Sequence, residues 1–274
     1  MDSLRDIQNK ISATSGMSKI TSAMHMVATA KLTKFEQKNK GFQEYLQTLE
    51  AMMSKLAVKN HPFFQTSDAP NIGYLVVTSD RGLAGGYNNN ILKLLESKLQ
   101  TAPYHLYMLG SKGFDYAKSH GLTVENPDIF VPDDVVYQDI RPVIEQLLED
   151  YQNGKIQKIV VIYTKYVSKI LQVPTEKQIL PIEPLAHDKS VTYEMEPTEE
   201  AVLNTLLPQY LEGILYGAVL TAKLSEGASR MNSMQNATDN AGDIIRDLQL
   251  IYNRARQAHI TEEINEIIGG ASAI

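Results

Sequence analysis

Two stretches of this chain, residues 1–61 and 209–274, contain no proline. Both carry apolar residues three and four apart, the spacing of one helix face. In the first these are Leu4, Ile7 and Ile11, then Ile20, Met24 and Val27, and after a polar stretch Phe42, Leu46, Leu49, Met53 and Leu56. In the second they are Met231, Met234, Ala241, Ile245, Leu248, Tyr252 and Ala255. Ser3, three residues before Asp6, offers a capping-box start. Pro62 disfavours helix in the residue before it, which predicts a stop near Asn60. Thr198, followed by Glu199 and Glu200, is a candidate N-cap for the second helix. Pro208 is expected to break or kink it, and Gly269-Gly270 to end it.

The lengths then decide the architecture. Helices over 3–58 and 209–268 span roughly 84 Å and 90 Å. A compact globule of 274 residues has a radius of gyration of about 19 Å, hence a diameter near ~50 Å. Such helices project from any globule the rest can form, and each needs a partner for its apolar stripe. Charge supplies the pairing. Residues 1–60 carry a net +4 and residues 195–274 a net −6, within a chain whose total is −6. An antiparallel coiled coil of the two termini, joined through a middle domain, follows.

Its seam is rich in small residues: Ala23, Ala28 and Ala30 in the first helix, and Ala218, Ala222, Ala228, Ala237 and Ala241 in the second. Gly213, Gly217, Gly227 and Gly242 also fall inside the second helix, each at about 1 kcal/mol relative to Ala. Close helix approach explains them, and so does a slim shaft that turns inside something else. Periodicity does not choose.

The middle reads as an α/β domain. Strands are expected at 72–79, 105–111, 156–168 and 177–182, and helices at 89–100, 112–120 and 138–152. That alternation points to a Rossmann-like domain with a mostly parallel sheet. The chain thus divides into an N-terminal coiled-coil helix (1–60), a central head (71–190) and a C-terminal coiled-coil helix (198–274).

Chemistry is hard to find. The absence of Cys removes disulfides, thiolate metal sites and thiol nucleophiles. The turn Gly82-Leu83-Ala84-Gly85-Gly86 after the first strand does not fit G-x-G-x-x-G, and no Walker-type phosphate loop occurs. A tight turn needing glycine dihedrals accounts for it. Asp80 and Arg81 read either as a structural pair or as a docking site. His25, His61, His105, His120, His187 and His259 are scattered and form no metal motif. No catalytic site, metal or cofactor is expected. The net negative charge argues against nucleic acid. Residues 201–220, the most apolar stretch, contain Asn204, Pro208, Gln209 and Glu212, which argues against direct membrane insertion. Residues MDSLRDIQNK lack the apolar core of a signal peptide and the Arg/Ser-rich look of a transit peptide. On the residues alone, a non-catalytic coiled-coil tether or binding module with a small α/β head remains open.

Three segments are more specific. LRDIQNKISATSGMSKITSAMHMVATAKL (4–32), SDRGLAGGYNNNI (79–91) and RMNSMQNATDNAGDIIRDLQLIYNRARQAHITEEINEIIGGASAI (230–274) resemble, in order, the amino terminus, head loop and carboxy-terminal signature of the gamma subunit of rotary (F-type) ATP synthases, bacterial type. Together they cover 87 residues. Ala84 stands where many relatives carry Cys, and Gly227 and Ser229 replace the more usual His and Ala. The Cys pair of thiol-regulated plant-type relatives has no counterpart.

The resemblance implies a non-catalytic central stalk. Its coiled coil would sit inside a ring of alpha and beta subunits, and its head would touch the epsilon subunit and the membrane c-ring. Proton-driven rotation would then change the beta sites in turn, on the cytoplasmic face of a bacterial cell membrane. The resemblance also places Arg256, Gln257, Thr261 and Glu263 of the second helix, and Lys19, Ile20 and Met24 of the first, against the beta subunits.

Overall fold

A computed structural model describes residues 3–54, 62–64, 71–100, 102–182, 196 and 198–271. The elements run α1 (Leu4–Met53), β1 (Ile72–Val77), α2 (Tyr87–Leu99), β2 (Tyr104–Leu109), α3 (Ser111–Ser119), α4 (Tyr137–Gln152), β3 (Lys158–Tyr166), β4 (Gln172–Leu180) and α5 (Glu199–Ala271). The chain divides into two compact units, one of Met1–Ala28 with Met231–Ile274 and one of Thr29–Arg230. α1 and α5 contribute to both.

The terminal unit is a helix pair. It opens on the expected capping box: the Ser3 amide and hydroxyl donate to Asp6 Oδ2 at 3.2 and 2.7 Å, and the Asp6 amide donates to Ser3 Oγ at 3.2 Å. The pairing is antiparallel, because α5 partners fall as α1 numbers rise. Gln8 lies 3.4 Å from the Tyr252 hydroxyl, Thr21 Oγ1 2.7 Å from Thr238 Oγ1, and His25 Nδ1 3.2 Å from the Met231 carbonyl. On α5 the covered positions include 231, 234, 238, 241, 245, 248, 252 and 255, the heptad alternation of three and four. The apolar residues expected on this seam are all among them. On α1 the covered line runs 7, 11, 14, 18, 21, 25 and 28. Leu4, Ile7 and Ile11 fit the expected seam and Met24 is half-buried beside it, but Ile20 and Val27 do not fit, being 63% and 56% exposed. The reason is geometric. Thr14, Ser18, Thr21 and His25 occupy the heptad line, which turns Ile20 and Val27 outward.

The larger unit is built on a four-stranded sheet of order β2-β1-β3-β4. β1 pairs parallel with β2 and β3, and β4 returns antiparallel to β3. The sheet is mostly parallel, as expected, but the last strand starts at Gln172 rather than 177, because the chain turns back directly after β3. β1 is paired on both edges and buried on both faces. Tyr74 and Val76 pack with α2 and α3 residues such as Ile91, Leu95 and Ala117, while Leu75 and Val77 pack with Ile144, Leu147, Leu211 and Leu215. One face of the sheet thus rests on α4 and on α5 itself, which is how the head holds the long helix.

α5 starts where expected, with the Ala201 amide donating to Thr198 Oγ1 at 3.2 Å. It is not broken at Pro208, and Gly269-Gly270 does not end it. Proline removes one N–H, but Leu207 and Leu211 on either side are fully buried, and that packing holds the helix through the gap. Glycine lowers helix propensity without forbidding helix. The expected stop of α1 near Asn60, and Leu56 of its seam, lie outside the described residues, as does Pro184.

Candidate functional site

No group of three or more His, Asp or Glu side chains fit to hold a metal occurs among the described residues. No described helix is long and apolar enough to cross a membrane.

In the terminal unit Arg256, Gln257, Thr261, Glu263, Lys19 and Ile20 are exposed, and Met24 is half-buried beside the seam. The four α5 residues share one helix end. Thr261 Oγ1 donates to the Gln257 carbonyl at 2.9 Å, and Glu263 lies 3.8 Å from His259. Arg256 forms no ion pair among the described residues. Lys19, Ile20 and Met24 lie on α1. Around them Met17, Met26, Val27, Ile244, Leu250 and Ile251 also face outward, so large apolar side chains flank the seam on both helices.

In the larger unit the head is fastened to α1 and α5 at three places. The first is the loop that enters α4. Lys34 and Lys38 reach Asp134 at 2.8 and 3.2 Å, and Lys31 pairs with Asp133. Lys38 also donates to the Val135 carbonyl at 2.5 Å, as does the Tyr216 hydroxyl at 3.0 Å. The hydrogen bonds from Lys34 and Lys38 hold the Asp134 carboxyl below the usual range. The second is the β3–β4 hairpin. Ser225 Oγ donates to the Thr164 carbonyl at 2.9 Å, Ser229 Oγ to Gln172 at 3.1 Å, and the Tyr166 hydroxyl to Glu36 at 2.8 Å.

The third lies under the glycine-rich loop after β1. Asp80 is not the surface group that one reading allowed. Its Oδ1 accepts from the Ser111 amide at 3.0 Å and hydroxyl at 3.2 Å, and its Oδ2 accepts from the Val131 amide at 3.3 Å. Lys223 of α5 stands 3.6 Å from that Oδ2. Arg230 pairs with Glu226 at 2.8 Å and donates to the Arg81 and Gly82 carbonyls at 3.3 Å. The Tyr87 hydroxyl donates to the Ala222 carbonyl at 3.1 Å. Burial, and then the Glu226 charge, push the Tyr87 phenol well above its usual value. The loop needs glycine at Gly85, where φ is 56°, while Leu83 takes φ 63° and points outward. Sequence reasoning missed Lys223, Glu226 and Arg230; their only local signal is alternating charge at helical spacing.

One unit is an α/β head fastened to the segments of α1 and α5 that it contains, and the other is an antiparallel helix pair with large apolar side chains left outside its seam; these two parts define a coiled-coil protein with an α/β head. Residues 3–274 match the family model described as ATP synthase. It is 41% identical over 286 residues to the ATP synthase gamma chain of Staphylococcus carnosus and 39% identical over 287 residues to that of Staphylococcus epidermidis, covering all of each. The fold is that of a chain in the cryo-EM structure of Euglena gracilis mitochondrial ATP synthase (OSCP/F1/c-ring, rotational state 3), at a TM-score of 0.72 and 20% identity over 98% of this chain and 94% of that one. A chain of the central stalk/c-ring structure of the Tetrahymena thermophila enzyme gives 0.60 and 23% over 80% and 99%. The chain belongs to the ATP synthase gamma-chain family.

Proposed function

We propose that this chain is the central stalk of a proton-translocating ATP synthase, the rotor shaft that couples c-ring rotation to conformational change at the beta-subunit catalytic sites. It is a non-catalytic subunit, and the chemistry belongs to beta. Its partners are the alpha and beta subunits of the ring, the epsilon subunit and the c-ring. It associates peripherally, through the c-ring, with the cytoplasmic face of a bacterial cell membrane. The working division is a 1–60 helix, a 71–190 head and a 198–274 helix.

The observation that carries this reading is the exposed apolar flank of the helix pair. Met17, Ile20, Met26, Val27, Ile244, Leu250 and Ile251 remain outside after the two helices have satisfied each other's seam. Burying large apolar side chains of that kind is favourable, and a sleeve of partner subunits covers them. The shaft then acts as an asymmetric ligand of the ring: it biases each beta site only by the difference in contact energy between conformations. Arg256, Gln257, Thr261, Glu263, Lys19, Ile20 and Met24 are the proposed beta contacts. Their exposure, or for Met24 partial exposure, supports that role.

Mixing the purified chain with cognate alpha and beta subunits tests the reading. A stable assembly that hydrolyses ATP, with none hydrolysed by the chain alone, is the expected result. Failure to assemble, or hydrolysis by the chain itself that is lost on substitution within residues 80–87, contradicts it.

A further inference from the structure

The Lys223 side chain is 5% exposed and the Asp80 side chain 6%. An ammonium so placed is unfavourable unless charges and hydrogen bonds surround it. Its surroundings come from three segments. The Val131 carbonyl, in the loop before α4, accepts from Nζ at 2.8 Å. Asp80, in the loop after β1, lies at 3.6 Å, and Glu226, one turn along α5, at 3.5 Å. Lys223, Glu226 and Arg230 lie three and four apart, so they line one face of α5, and their signs alternate. Lys223 grips the start of the 80–82 stretch through Asp80, and Arg230 grips its end through the Arg81 and Gly82 carbonyls. The hairpin fastenings at Ser225 and Ser229 are neutral hydrogen bonds.

Apolar packing resists separation, but it is non-directional and yields to sliding. A buried ammonium held between two carboxylates is position-specific, because any rotation of the head about α5 leaves charges unpaired in a dry site. We propose that Lys223 is a positioning residue for the rotor function above: it pins the head to one angular position on α5, so that torque entering the head reaches the shaft without slip. The proposal rests on the rotor reading.

The test uses the full complex in inside-out vesicles, with ATP hydrolysis, ATP-driven proton uptake and thermal unfolding of the purified chain as readouts. Lys223→Met leaves Asp80 without its cation, so the unfolding midpoint falls. Hydrolysis stays within about twofold of wild type, and protons moved per ATP drop by about fivefold or more, which corresponds to about 1 kcal/mol of lost linkage. Adding Asp80→Asn removes the stranded charge. The double variant therefore recovers its midpoint but not its proton uptake. A group that only stabilises the fold recovers both together, and that result overturns the proposal, as does wild-type proton uptake by Lys223→Met. If Lys223→Met does not assemble, the double variant decides alone by the same two outcomes. A wild-type chain that supports neither hydrolysis nor uptake instead contradicts the rotor reading itself.

Discussion

The two methyl groups of Leu46 sit over two glycines of α5: a Cβ on Gly213 would lie 2.9 Å from Cδ2, and one on Gly217 2.7 Å from Cδ1. Moving Leu46 away from one glycine pushes it onto the other, and Phe42 also lies 3.3 Å from the Gly217 position. The glycines are the hole for a leucine knob. Gly217→Ala is expected to destabilise the chain by about 1–3 kcal/mol through overpacking. Gly242, with nothing within 4 Å of its Cβ position, should instead gain roughly 1 kcal/mol on substitution by Ala. Urea midpoints of the two variants check both signs. Adding Leu46→Ala to Gly217→Ala should recover part of the loss.

At alkaline pH, Tyr210 governs part of the stability. Burial, and then the Glu50 charge, push its phenol up to about 12, whereas an unfolded tyrosine ionises near ~10. Between those values the unfolded chain releases a proton that the folded chain keeps. Stability is therefore full below about pH 10 and declines as pH rises through about 12, by on the order of 2 kcal/mol from this group. Tyr210→Phe should flatten that part of the profile relative to wild type, as read from urea midpoints at about pH 9 and about pH 11.

Arg256 and Gln257 are exposed on α5. Replacing both by Ala should leave the helicity of the isolated chain nearly unchanged. In the assembled complex the loss of a hydrogen bond to a charged group costs about 1.5–3 kcal/mol. Where that contact forms only at some rotor angles, turnover falls by roughly ten- to a hundred-fold. Steady-state ATPase measurements and circular dichroism decide the matter together. Wild-type turnover makes the two residues passive.

Much of the fold was legible in the sequence. Residues 231–255 show their seam because Met231, Met234, Ile245 and Leu248 are apolar at heptad spacing. α1 hides part of its seam because Thr21 pairs through its hydroxyl with Thr238, and His25 through its ring with the Met231 carbonyl. A hydrophobic pattern is blind to such contacts and selected Ile20 and Val27 instead. Gly213 and Gly217 were legible as close approach, but Leu46 as their partner was not. Asp80 was ambiguous for a related reason. Its partners Ser111, Val131 and Lys223 come from distant segments that only the folded sheet brings together. Nothing local to Lys223 separates it from a solvated helix lysine.

Rotation itself is the most direct test of the central claim. The chain has no cysteine, so Lys118→Cys, at an exposed position near the end of α3, gives a unique attachment point on the head. With a bead on that residue and the alpha–beta ring fixed to a surface, ATP should drive sustained rotation in one direction, halted when ATP is withdrawn. ATP hydrolysis by the same immobilised assemblies with the bead stationary contradicts the account.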